Sequence, residues 1–241
     1  MTESFMWQPP ALGTILPRAL LGMTVVTGLI DAVSFLSLGR VFTANMTGNV
    51  VLLAFASTGV PGVSVARSLT ALLAFLVGAA AGGRIIAGSI ADEPLRGALP
   101  TFGLESVLLA GATLAALGYE APSSPHNGQM YAMIVLTSVA MGMRNAGVRK
   151  LGVPDLTTTV LTLTITALAA DSSLAGGSNP RWQRRVASVF ALFGGAALGA
   201  AIVRHSVFLA LLVATLTSSL CSLALLLSRR EAAAPARPEK Q

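Results

Sequence analysis

Long apolar stretches separated by short polar segments dominate the chain. Six of them are about long enough to form helices that cross a bilayer, which takes roughly 20 residues. These predicted spans cover residues 18–39, 66–90, 101–118, 129–150, 183–203 and 206–228. The clearest polar breaks between them are the segments 118–129 and 172–182.

Two shorter segments, 43–57 and 156–171, follow the first and the fourth predicted span and are rich in threonine and asparagine. They are too short and too polar for ordinary spanning helices. In a membrane protein, short or interrupted segments at corresponding positions of two halves are typical of a buried transport site. We therefore expect two re-entrant or discontinuous helices at these positions.

The composition favours a membrane protein. Hydrophobic residues make up 54% of the chain and charged residues 11%, whereas a soluble domain carries about 25% charged residues. The expected fold is an all-α polytopic membrane protein with one transmembrane domain at 18–228. Residues 1–17 are expected to form a cytoplasmic N-terminal segment, and residues 229–241 a disordered tail. The one cysteine, Cys221, lies in an apolar run, so no intrachain disulfide can form.

The basic residues indicate a topology. The chain has 16 Lys and Arg residues and a net charge of +6. These residues lie at helix ends and in the tail, so we expect no nucleic-acid partner. If both short segments return to the side they entered, all basic residues except Arg40, Arg67 and Arg204 lie inside, as the positive-inside rule prefers. This predicts six spans in the bacterial inner membrane, with both termini in the cytoplasm.

The two halves of the chain, about 18–118 and 129–228, share a pattern of polar and small residues. The matched positions are Gly28 with Gly142, Asp31 with Asn145, Ala32 with Ala146, Thr43 with Thr157, and Asn45 with Thr159. After a three-residue insertion, the run 78–80 also matches the run 195–197. Because each repeat unit would hold three crossings, an odd number, the sequence predicts an inverted repeat.

The stretch GLIDAVSFLSLGRVFTANMTGN at 28–49 resembles the signature of the YoaK-like bacterial membrane proteins, a family defined as a domain of unknown function. The stretch MGMRNAGVRKLGVPDLTTTVLT at 141–162 is similar to a second signature of the same family. The resemblance extends from about residue 15 to residue 228. It implies a six-span inner-membrane protein and no established substrate.

The first repeat carries the strongest candidates for chemistry. A carboxylate such as Asp31 inside a span is costly, and it normally faces a cavity or a partner. Asn45, Thr47, Gly48 and Asn49 lie in the first short segment, where Gly48 could let the backbone leave helical geometry and line a cavity. We interpret these residues as a substrate or ion site. The alternative is structural: Asp31 bonds to Thr47 or Asn49, and the asparagines tie helices together.

The second repeat offers hydroxyl groups instead of a carboxylate. Thr158, Thr162 and Thr166 recur every four residues, so they share one helical face. Thr157 and Asn145, the counterpart of Asp31, complete the candidate site. The structural alternative is that each threonine bonds to its own backbone. Asp155 is expected to cap the second short helix rather than to react.

Two further charged residues are expected inside spans, at similar depths. We predict an ion pair between Arg144 and Glu105, which would relieve both burial costs. The alternative is that Arg144 extends to the cytoplasmic headgroups. Asp31 and Arg144 are not expected to pair directly, because their predicted depths differ by about 10 Å.

These features favour a secondary transporter or permease of an unidentified small solute, with proton coupling through Asp31 as one option. A channel of the same architecture and a non-transporting membrane scaffold are the alternatives. The only histidines, His126 and His205, lie in a loop or at a helix end, and no metal-ligand spacing or phosphate loop is present. We therefore expect no enzyme activity, metal or cofactor. The glycine-rich runs predict close helix packing, either within the chain or in a homodimer.

Overall fold

The computed structural model describes residues 10–88, 94–119, 128–152 and 161–233. In these ranges the chain forms α-helices, one 3-10 turn at Ser173–Ala175 and no strand, which confirms the all-α class. The helices are α1 (Pro10–Ser37), α2 (Met46–Ser57), α3 (Val65–Ala87), α4 (Pro94–Ala115), α5 (Gly128–Leu151), α6 (Leu161–Ala170), α7 (Trp182–Val203) and α8 (Val207–Ala233).

Three predicted boundaries are wrong. Helix α1 begins at Pro10 rather than at residue 18, and α4 begins at Pro94 rather than at residue 101, with Pro17 and Pro100 inside them. Tertiary packing keeps these turns helical despite the proline, as Leu16 and Ala98 belong to one buried cluster. Helix α8 continues to Ala233, into the segment expected to be disordered. The Arg, Glu and Ala residues there have high helix propensity.

Five of the described helices are both long and apolar enough to span a membrane: α1, α3, α4, α7 and α8. Helix α5 has 24 residues, about 36 Å of rise, but it carries Arg144, Arg149 and Lys150. Along α5 the buried positions extend from Met130 to Val148, because this helix lies at the centre of the bundle. The polar and charged residues of a central helix need not face lipid.

The helices pack with partners from the opposite half of the sequence. Helix α1 packs against α7 and α8, and α5 packs against α3 and α4. Helix α4 also contacts α8, α2 contacts α3, and α6 contacts α7. If α1 is exchanged with α5, α2 with α6, α3 with α7 and α4 with α8, the same set of contacts results.

Four glycines set the closest contacts between helices, and they follow the same exchange. A Cβ atom built on Gly28 would lie 2.3 Å from the carbonyl oxygen of Leu192, and one built on Gly142 would lie 2.1 Å from that of Phe75. On the facing helices, Cβ atoms built on Gly195 and Gly78 would lie 2.2 and 2.1 Å from the carbonyl oxygens of Val25 and Val139. The registers 28 to 142 and 78 to 195 inferred from the sequence thus coincide with equivalent helix crossings within the chain.

Helices α1 and α5, which the sequence pattern predicts to be equivalent, run in opposite directions. The start of α1 (Leu16) shares an apolar cluster with Ala98 near the start of α4 and Val148 near the end of α5. At the other end of α1, the Tyr119 hydroxyl beyond α4 donates to the Ser37 carbonyl at 2.8 Å. Helix α1 is therefore parallel to α4 and antiparallel to α5.

The short helices α2 and α6 cover only part of the length of the helix bundle. Helix α2 has 12 residues and α6 has 10, about 18 and 15 Å of rise. The loop after α2 returns to the end of α1, where Gly62 lies beside the Arg40 side chain. Gly39, with φ +83°, lies against Arg67 in the first turn of α3. Helix α3 therefore starts at the end of the bundle where α1 finishes.

Candidate functional site

A cavity of about 750 Å³ lies where α1, α2, α3, α6 and α7 converge. Residues from both halves of the chain line it, and the first turns of α2 and α6 both face it. The polar lining residues are Thr27, Asp31, Asn45, Thr47 and Thr162. The other lining residues are Phe42, Ala44, Met46, Gly48, Val51, Leu52, Phe75, Leu161, Ile165 and Leu192.

Among the described residues, Asp31 is the only ionisable one in this lining. It lies six residues before the end of α1, about 9 Å inside the bundle. Its Oδ1 atom is buried and has no hydrogen-bond partner among the described residues. The Ala44 backbone N–H and the Arg144 guanidinium both act electrostatically on the carboxylate. A buried carboxylate oxygen left without a donor costs free energy, so it favours a ligand or proton that can satisfy it.

The start of α2 is held in place by Phe42. The Asn49 side chain is buried; it accepts from the Phe42 N–H at 2.9 Å and donates to the Phe42 carbonyl. The Phe42 ring stacks on Phe35 with centroids 5.0 Å apart. A Cβ atom on Gly48 would lie 2.8 Å from this ring. Asn49 and Gly48 thus fix where α2 begins.

Two expectations about this segment are therefore corrected. Asn49 does not line the cavity, because the Phe42 backbone uses both ends of its amide. Gly48 lies inside α2 in helical geometry, and glycine is required there by the Phe42 ring rather than by an unwound backbone. Asn45 caps α2 by accepting from the Gly48 N–H at 3.3 Å, and it still borders the cavity beside Thr47.

Behind the cavity wall lies a buried polar network. Arg144 forms an ion pair with Glu105, and both side chains are at most 1% exposed. The expected pair is therefore present, and Arg144 does not extend to the headgroups. Arg144 Nη1 also donates to the Met23 carbonyl at 2.6 Å and to Thr27 Oγ1 at 2.8 Å. Thr27, which lines the cavity, connects this ion pair to the site.

The remaining candidates are distributed differently. Thr162 lines the cavity from α6, whereas Asn145 and Thr166 are not among its lining residues. Thr157, Thr158 and Asp155 lie outside the described residues. Thr27 was not predicted as a lining residue, although it lies one turn before Asp31 on the same helical face. Phe75 and Leu192 were not predicted either, because in the sequence they resemble lipid-facing residues.

The fold and the cavity define a multi-pass α-helical membrane protein with a partly polar cavity between the two halves of its chain. The chain belongs to the family described as "Protein of unknown function (DUF1275)", whose model matches residues 19–224. It is 35% identical over 130 residues to the UPF0700 transmembrane protein YoaK of Bacillus subtilis (strain 168). That match covers 53% of this chain and 54% of the relative, about half of its length. These matches confirm the resemblance to the YoaK-like family. No solved structure matches the chain.

Proposed function

We propose that the protein is a secondary transporter of a small polar solute. One observation supports this most: a cavity that holds a buried carboxylate oxygen without a hydrogen-bond partner among the described residues lies between the N-termini of two short helices, where the two halves of the chain meet. Discontinuous helices that meet between repeats form the substrate sites of many transporters, because their free backbone groups can bind solute. A packing role alone would leave no reason for the open space around Asp31.

The proposal includes a topology of six crossings with an inverted repeat. Helix α5 supplies the sixth crossing, since its rise of about 36 Å exceeds the hydrocarbon thickness of about 30 Å. The antiparallel course of α1 and α5 favours inversion, and the return of the chain from α2 to the end of α1 favours a re-entrant α2. The positive-inside rule then puts both termini in the cytoplasm of a bacterial inner membrane.

Alternating access would come from two bundles that move against each other. One bundle consists of α1, α7 and α8, and the other of α5, α3 and α4. Within each bundle the glycine crossings bring backbones into direct contact, so each is expected to move as one body. The α4–α8 contact joins the bundles, and the cavity lies between α1 and α7 on one side and α3 on the other.

Thiol labelling from each side of the membrane tests this function without knowledge of the substrate. Thr47→Cys and Thr162→Cys, in a Cys221→Ala background, place single thiols at the cavity. A membrane-impermeant maleimide is applied to sealed vesicles of each orientation. Leu174→Cys, at a 99% exposed position, should label from one side only. Thr113→Cys, buried where α4 meets α8, should label from neither.

A transporter predicts labelling of both cavity thiols from both sides, with rates that change in opposite directions when one conformation is trapped. A channel predicts rates that rise and fall together. A scaffold with a closed interior predicts no labelling at either position, and that result would remove the transport proposal.

A further inference from the structure

We infer that the cavity binds a zwitterion, a small molecule with an ammonium and a carboxylate group, and that an amino acid with an apolar side chain fits it. This inference rests on the proposed function only for the passage of the ligand across the membrane. The binding site itself is argued from the groups around the cavity.

The buried charges leave one negative charge at the cavity. The Arg144 guanidinium is in direct contact with Glu105, so these two charges offset each other. Asp31 forms no ion pair among the described residues, and its Oδ1 atom has no donor. A ligand ammonium group would supply both the missing positive charge and the missing hydrogen bond.

The start of α2 supplies the opposite polarity. A helix N-terminus carries unpaired N–H groups and a partial positive charge. In α2, the Asn45 side chain satisfies Gly48, and the Asn45 carbonyl accepts from the Asn49 N–H. The N–H groups of Met46 and Thr47 form no hydrogen bond with the described residues. They can therefore bind a carboxylate, as helix N-termini do elsewhere.

Asp31 and the start of α2 lie close enough for a single small molecule to reach both. Ala44 interacts with the Asp31 carboxylate, and three residues of extended chain from Ala44 to Thr47 span at most about 10 Å. An amino acid has its ammonium and carboxylate about 3 Å apart, and two hydrogen bonds of about 3 Å each bring the total to about 9 Å. A ligand with one charge would leave either Asp31 or the start of α2 unsatisfied.

The remaining lining is apolar and aromatic. Phe42, Phe75, Leu192, Leu161 and Ile165 face the space that a side chain would occupy. A volume of about 750 Å³ is within the range of small-ligand pockets. An aliphatic or aromatic side chain would be buried there, whereas a charged one would find no charged partner among the described lining residues besides Asp31.

Three probes of similar shape separate the alternatives on the unmodified protein. L-leucine carries both charges, 4-methylpentanoate only the carboxylate, and 3-methylbutylamine only the ammonium. Binding to the purified full chain in detergent is measured by calorimetry, with L-phenylalanine as a second zwitterion. We expect both amino acids to bind and each single-charge analogue to bind roughly ten- to hundred-fold more weakly, since each lacks one charged hydrogen bond. Equal binding of either analogue, or no binding of either amino acid at millimolar concentration, would overturn the inference.

Variants assign the two charges. Asp31→Asn should weaken leucine binding to the level of 4-methylpentanoate, and Asp31→Glu should retain part of it. Asp171→Asn, a carboxylate outside the cavity, should leave binding unchanged. If Asp31→Asn does not fold, the probe series on the native chain still decides. Leucine binding without flux in liposomes would refute transport but support the zwitterion site. Flux of a solute that lacks an amine would refute the zwitterion site but support transport.

Discussion

The buried ion pair of Arg144 and Glu105 provides a quantitative test of how the core is held together. Replacing Glu105 with alanine removes the only counter-charge that contacts the Arg144 guanidinium among the described residues. The Met23 carbonyl and the Thr27 hydroxyl would still accept from Nη1. Nη2 would lose its acceptor, and Nε already has none.

The expected cost follows from burial. Both side chains are at most 1% exposed, so the unpaired guanidinium cannot reach water without opening the bundle. Breaking one side of such a pair costs about 3–5 kcal/mol, whereas replacing both partners with apolar residues is often neutral or stabilising. Glu105→Ala should therefore be far less stable than the double variant Glu105→Leu with Arg144→Met. Ser218, which donates to Glu105 at 2.8 Å, would lose one hydrogen bond in both.

Equilibrium unfolding in mixed micelles measures these free energies. The Arg185–Asp171 pair, at 2.8 Å, is a half-buried comparison, since the Asp171 side chain is 44% exposed and the Arg185 side chain 5%. Asp171→Ala should cost less than Glu105→Ala, because water can replace the exposed carboxylate and Arg185 keeps its hydrogen bond to the Ala167 carbonyl. A cost below about 1 kcal/mol for Glu105→Ala, or a double variant less stable than Glu105→Ala alone, would refute the reasoning.

Three further predictions concern the repeat, the α2 start and the site. Gly142→Ala places a methyl group 2.1 Å from the Phe75 carbonyl oxygen and should lower the free energy of unfolding by about 1–3 kcal/mol or more. Its control is Gly103→Ala, whose new methyl group meets nothing within 4 Å and should raise that free energy by up to about 1 kcal/mol. Thermal unfolding compares the two, and equal effects would contradict the packing. Asn49→Ala leaves both Phe42 backbone groups unpaired and should cost about 1–3 kcal/mol, more than the roughly 1 kcal/mol of removing the Asn45 cap; the reverse order would contradict the role of Asn49. Asp31→Asn should abolish uptake in liposomes while the yield of folded protein stays unchanged, and unaltered uptake would remove Asp31 from the mechanism.

The sequence predicted the helices well because hydropathy and length decide them. It also located the Arg144–Glu105 pair, since two charges at similar depth in apolar helices have few other partners. The alignment of the two halves could be predicted from the sequence because Gly28 and Asp31 have the same spacing as Gly142 and Asn145. Each of these inferences depends on local pattern or on depth along a helix.

Which helices pack side by side could not be predicted from the sequence in the same way. No residue in α1 indicates that its partners are α7 and α8, because glycine pairs with any close backbone. The role of Asn49 depends on the path of the loop before α2, which brings Phe42 back to it. The apolar side of the cavity was missed since Phe75 and Leu192 have the same hydropathy whether they face lipid or ligand.

The exchange of packing partners constrains the order in which the protein can assemble. Helix α1 is made first, but its main partners begin at residues 182 and 207. While the chain is being synthesised, α1 must therefore remain in the membrane without them, with the buried face around Gly28 and Asp31 uncovered. The first four helices alone would also leave α3 and α4 without their main partner α5. Neither half is a folding unit, so separately expressed halves should be stable only when produced together.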